Sequence, residues 1–131
     1  MPIELRILAY GAILLLVHVI LAAQLKTRDY GLSWNLGPRD DPPQPLSPMA
    51  GRLVRAEANF LETFPIAIIA LIGVVVADRT SSATALGGWM WLGARIVYLP
   101  LYAAGIPVLR TIAFAVSIVG LALVMKPLLL G

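Results

Sequence analysis

The sequence contains no cysteine, which rules out disulfides, thiolate metal sites and a protein thiol nucleophile. Any sulfur chemistry must use a sulfur brought in by a ligand. Histidine is nearly missing as well: His18 stands alone, and no cluster of His, Asp and Glu has metal-ligand spacing, so no metal centre is expected. There is no glycine-rich phosphate loop and no Ser/His/Asp set. Charge is scarce at 13% of the chain, against roughly a quarter in soluble domains. The net charge of +3 is spread along the whole chain and forms no basic patch or basic helix, so nucleic acid is not an expected partner.

What the chain does contain is apolar length. It has 131 residues, 60% of them hydrophobic, with a mean hydropathy of +0.88, the composition of an integral membrane protein. A bilayer is crossed by about 20 apolar residues in a helix. Four such runs, at about 7–25, 52–77, 85–104 and 111–130, take up nearly all of the chain. The expected fold is an all-α membrane protein, a four-transmembrane-helix bundle forming one domain over 1–131 with antiparallel neighbours joined by short turns. No soluble catalytic domain has room to exist beside it. The first run is too long for a signal-peptide core, and "LAAQLK" only loosely imitates a cleavage site, so it reads as a retained span.

The one long loop, 26–51, is rich in Pro, Gly and Asp; "DDPPQP" is too proline-dense for a helix, and the segment reads as extramembrane and extended. Lys26, Arg28, Arg39, Arg52, Arg55 and Arg110 fall on its side of the membrane, and only Arg6, Arg79 and Lys126 on the other. The positive-inside rule therefore puts this loop in the cytoplasm and both termini outside.

Span two carries a polar face. Arg55, Asn59 and Glu62 recur at i, i+4 and i+7, and Arg95, Tyr98 and Tyr102 at i, i+3 and i+7 on span three, so each set shares one helix face. At ~1.5 Å rise per residue, counting inward from Arg52 and from Gly105 sets Glu62 level with Arg95, Asn59 with Tyr98 and Arg55 with Tyr102. Two matched stripes imply a polar cleft open to the cytoplasmic side.

A Glu62–Arg95 ion pair alone would serve architecture as well as binding, since intramembrane charges are costly and normally pair. Four further polar residues exceed what one buried pair needs, which favours a ligand site. Arginines suit carboxylates, Asn59 can read an amide in both directions, Glu62 can accept from an ammonium, and tyrosines offer hydroxyls on flat apolar rings. A small zwitterionic peptide fits this set. Elsewhere, His18 reads as an interhelical hydrogen-bond donor, Trp34, Trp89 and Trp91 as interfacial or packing aromatics, "GGWMWLG" as a close helix contact, and Pro65 and Pro100 as kinks.

The segment "RLVRAEANFLETFP" resembles the helix-two signature of the MAPEG superfamily, membrane-associated proteins in eicosanoid and glutathione metabolism, in the pattern Arg-x-x-Arg-x-x-x-Asn-x-x-Glu-x-x-Pro. "ARIVYLPLYAAGIPVLR" resembles the family's Arg-x-x-Tyr-x-x-x-Tyr followed by a further arginine. The resemblance implies a bacterial-type member in the inner membrane: a homotrimer that binds glutathione as cosubstrate between neighbouring protomers. It further implies a glutathione-dependent transferase or peroxidase, whose partners are membrane lipid and a hydrophobic small-molecule substrate. By the same resemblance Arg52, Arg55, Asn59, Glu62, Tyr98 and Tyr102 bind glutathione, Arg110 stabilises its thiolate, and Lys26 or Arg28 supplies a basic group at the end of helix one. Thr63 stands where some glutathione-conjugating members carry tyrosine, and the loop "GLSWNLGPRDDPPQPLSP" has no close counterpart in the eicosanoid enzymes. The alternative is a non-catalytic, lipid-binding or scaffold member. A transporter or channel is disfavoured because the outer halves of spans two and four are too apolar.

Overall fold

A computed structural model, which describes residues 1–130, contains five helices and, among those residues, no strand. They are α1 (Ile3–Tyr30), α2 (Leu32–Leu36), α3 (Pro48–Val76), α4 (Ser82–Ala103) and α5 (Pro107–Leu130). Helices α1, α3 and α5 are long and apolar enough to cross a membrane. Helix α4 has 22 residues, a length of ~33 Å and so sufficient for a hydrocarbon core of about 30 Å. Its composition keeps it out of that group: it carries Arg95, three glycines, two tryptophans and two tyrosines. It nevertheless packs against α1, α3 and most closely α5.

The loop is shorter than the sequence implied. Helix α1 continues through "KTRDY" and ends only at Gly31, and α2 forms inside "LSWNL", leaving 37–47 without helix. The physical reason is that Lys26, Thr27, Arg28 and Asp29 end an apolar span but not a helix, since all four residue types tolerate helical backbone. Asn35 Nδ2 then donates to Thr27 Oγ1 at 2.9 Å and folds α2 back onto α1.

Local chemistry sets the other boundaries. Ser47 caps α3 by accepting from Ala50 N–H, with Pro48 in the first turn where its missing donor costs nothing. Ser81 and Thr84 form a reciprocal capping box at the start of α4. The α4–α5 turn needs Gly105, whose φ of +75° a side chain would strain. Helices α3 and α4 pass through Pro65 and Pro100 without a break in helical structure.

The core is a column of buried apolar side chains, including Ile7, Phe60, Leu71, Val74, Trp91, Leu121 and Val124. Phe60, Phe64 and Trp91 form a ring cluster with centroids 5.3–6.2 Å apart. "GGWMWLG" does mark a close contact: a Cβ on Gly87 would lie 2.5 Å from Gly120 O, and one on Gly120 would lie 2.5 Å from Gly87 O. At that end of the bundle Thr84 Oγ1 donates to the buried Glu4 carboxylate at 2.6 Å. His18 is buried but not an interhelical donor, because its Nδ1 donates to Leu14 O one turn back in α1, at 2.8 Å. That bond orients its ring to stack on Phe60 at 4.6 Å.

Candidate functional site

Away from the glycine contact, α3, α4 and α5 separate around an open cavity of about 390 Å³. Arg55, Asn59 and Glu62 reach it from α3, Tyr98 and Tyr102 from α4, and Arg110 from the first turn of α5. The two helical stripes legible in the sequence therefore do face one another. Ala58, Thr111 and Phe114 complete the lining. These three carry no polar stripe to betray them, although Phe114 lies four residues after Arg110 and so on the same face of α5.

The register differs from the sequence count. Arg52 Nε donates to Ala103 O at 2.9 Å, and Arg95 Nη1 donates to Asn59 Oδ1 at 2.8 Å. Arg95 thus meets Asn59, three residues before Glu62, a displacement of roughly 4.5 Å along the helix. The cause is the end of α4: the helix stops at Ala103 and gives Gly105 to the turn, so Arg95 is eight residues from its helix end. The expected Glu62–Arg95 pair does not form. The Arg28–Asp29 salt bridge at 3.4 Å lies outside the cleft, and Glu62 is exposed along the open side of the cavity.

Arg95 itself is fully buried behind the cavity wall and is not part of its lining. Its guanidinium carbon lies 4.2 Å from the Tyr98 ring centroid, 5.1 Å from Phe60 and 5.7 Å from Phe114. Such aromatic faces stabilise a desolvated cation by roughly 2 kcal/mol. Nε and Nη2 of Arg95 have no hydrogen-bond partner. Arg110 sits over Tyr102 at 4.7 Å, and Tyr98 meets Tyr102 edge-on at 5.5 Å. The lining therefore presents two guanidinium groups, one carboxylate, one amide and two phenols.

The remaining basic candidates lie elsewhere. Arg52 ties α3 to the α4–α5 turn, with Gly105 packed against its guanidinium. Lys26 borders a separate cavity of about 190 Å³ with Trp34, Asn35, Arg39 and Glu57. Arg28 donates to Asp29 and to Ser47 Oγ. Asp29 accepts the backbone N–H of Ser47 at 2.8 Å, and this bond, with help from the Ser47 side chain and then the Arg28 charge, holds its carboxyl below the usual range. Neither Lys26 nor Arg28 is among the residues lining the cleft. No group of three or more His, Cys, Asp or Glu among the described residues is placed to hold a metal ion.

The cleft thus offers guanidinium groups that can pair with carboxylates and a carboxylate that can pair with an ammonium. No curated protein and no solved structure matches the chain. A family model does, over residues 7–129, which takes in every cleft residue: the chain belongs to the MAPEG family.

Proposed function

We propose that this chain is a membrane-embedded glutathione-dependent transferase or peroxidase acting on hydrophobic electrophiles or lipid hydroperoxides. Membership of the MAPEG family supports a membrane, glutathione-related role in general. The observation that carries the finer reading is the convergence of Arg55, Asn59, Glu62, Tyr98, Tyr102 and Arg110 on one open cavity. Arg55 pairs with a glutathione carboxylate, Glu62 with its ammonium, and Asn59 with its peptide backbone. Arg110 reaches the lining from α5 and favours the thiolate over the thiol, since a nearby cation stabilises the charged form.

In conjugation the thiolate forms a sulfur–carbon bond and the leaving group departs with its electron pair. In the peroxidase reaction the thiolate attacks a hydroperoxide oxygen, the oxygen–oxygen bond breaks, the lipid alkoxide is protonated to the alcohol, and a second glutathione displaces water to form the disulfide. Neither route requires a protein cysteine, and the chain has none.

On this reading α4 is the fourth span, the cleft opens toward the cytoplasmic side, and three copies associate with glutathione bound between neighbours. The exposed Glu62 and Arg55 suit an arrangement in which a second copy covers the open side of the cavity.

The test is titration of detergent-solubilised protein with glutathione, reading thiolate absorbance and turnover of a model electrophile together. Arg110→Ala should abolish the thiolate absorbance while glutathione still binds. Unchanged absorbance in that variant would remove Arg110 from the role, and binding by the wild-type protein without thiolate or turnover would make the chain a binding or scaffold member.

A further inference from the structure

Arg95 is a buried cation with no carboxylate beside it. Its surroundings are aromatic, and its single hydrogen bond goes to Asn59 Oδ1. A guanidinium has donors only, so the Asn59 atom 2.8 Å away has to be the amide oxygen. An amide nitrogen at that position would set donor against donor, so the guanidinium fixes the orientation of the amide. The Nδ2 group is then at the other end of the amide, and among the described residues it has no hydrogen-bond acceptor. Asn59 lines the cavity while Arg95 lies behind it.

We infer that Arg95 is a positioning residue that locks Asn59 with its oxygen turned into the wall and its N–H₂ offered to the cleft, so that this point selects a ligand oxygen acceptor. Asn59 then does not read an amide in both directions, as its side-chain chemistry alone would allow. It contacts a carbonyl or carboxylate oxygen and rejects an N–H donor. That the ligand is glutathione rests on the function proposed above, whereas the lock itself rests only on the Arg95–Asn59 contact.

The choice of amide over carboxylate has a physical consequence. Aspartate at 59 would give the buried guanidinium an ion pair and satisfy it better than the amide does. It would also face the cleft with an acceptor and a negative charge in place of donors. Asn59→Asp should therefore keep or raise the thermal midpoint while weakening glutathione binding at least tenfold, the loss expected for a charge-assisted hydrogen bond replaced by repulsion.

The decisive measurement is a double-mutant cycle read by calorimetric titration with glutathione. Arg95→Met should weaken binding about tenfold when Asn59 is present, and by less than about twofold in an Asn59→Ala background. Equal losses in both backgrounds would overturn the lock, because Arg95 would then act on the ligand independently of Asn59. A purely structural role for the pair would move the midpoint without this coupling in affinity. Should Arg95→Met fail to fold, Arg95→Lys carries the cycle: it retains a cationic donor group and should fall between wild type and Asn59→Ala in affinity, and a lysine variant weaker than Asn59→Ala would count against the lock. If the wild-type protein does not bind glutathione at all, the proposed function fails, and the lock is judged by stability alone. In that case a midpoint for Asn59→Asp no higher than that for Asn59→Ala overturns it.

Discussion

The two ends of the bundle solve the same packing problem in opposite ways. At one end α4 and α5 meet backbone to backbone at Gly87 and Gly120, and the single buried acid, Glu4, is satisfied by Thr84. At the other end the same two helices diverge around Tyr98, Tyr102, Arg110 and Phe114, and a buried arginine keeps two nitrogens without partners. Glycine contacts remove side-chain freedom and leave nothing to bind. Long aromatic and cationic side chains hold helices apart and line a cavity. The difference teaches that the closed end is packed solid and supplies rigidity, while the open end keeps polar side chains accessible in a cavity with Arg95 buried behind them.

The largest expected effect strikes the closed end. Gly87→Val drives a side chain into Gly120 O and Leu123, and overpacking of this kind costs about 1–3 kcal/mol or more. The thermal midpoint in detergent should fall by several degrees, and glutathione affinity measured below the transition should not change. A fall in affinity equal to that of a cleft variant would break the division between the ends. Next comes Arg55→Ala at the open end, where an exposed guanidinium is removed. Titration should show glutathione binding weakened by about 10- to 100-fold, equivalent to about 1.5–3 kcal/mol for hydrogen bonds to a charged group. The midpoint without ligand should stay where it was, and a shift comparable to that of Gly87→Val would show Arg55 to be part of the scaffold.

The stripes at 55, 59 and 62 and at 95, 98 and 102 were legible in the sequence because polar residues inside an apolar helix have one periodic explanation, and the cavity gathers five of those six. The sixth, Arg95, was legible as a polar residue inside the bundle but not as one walled off from the cleft. Its place depends on where α4 stops, and two residues of turn at Ala104 and Gly105 were enough to exchange Glu62 for Asn59 as its partner. The helical part of the loop was hidden for a related reason: "KTRDY" and "LSWNL" lose the apolar pattern without losing helical backbone. Phe114 and Gly120 needed the fold, because nothing in an apolar run such as "TIAFAVSIVGLALVM" distinguishes a residue facing the cleft from one facing another helix or lipid. The glycines of "GGWMWLG" announced a close contact but not its partner on α5.

Smaller effects sharpen the comparison further. Thr84→Val removes the hydroxyl that donates to Glu4 and leaves a buried carboxylate without that bond, a cost of about 1–2 kcal/mol. Thermal unfolding should register it, and glutathione titration should not. Restoring the hydroxyl with Thr84→Ser should recover most of the loss, and failure to do so would assign the effect to packing.

The smallest effect concerns how the open end is tied. There the joins are polar: Asp29 holds the start of α3 through Ser47 N–H, and Arg52 holds the α4–α5 turn. The Asp29 carboxyl is held below its usual value chiefly by Ser47, so its contribution is present above the unfolded carboxylate value of about 3.9 and is lost as pH falls through the lowered folded value. Amide hydrogen exchange across residues 29–50, corrected for intrinsic rates, should quicken as pH is taken from 5 to 3. The segment around Gly120 should show no matching change, because the glycine contact it makes with α4 is between backbone atoms. Asp29→Asn keeps a side-chain acceptor for Ser47 N–H but cannot titrate, so this variant should lose the pH dependence. If it retains the wild-type dependence, Asp29 is not the source, and if both segments quicken together, the two ends are not separately held.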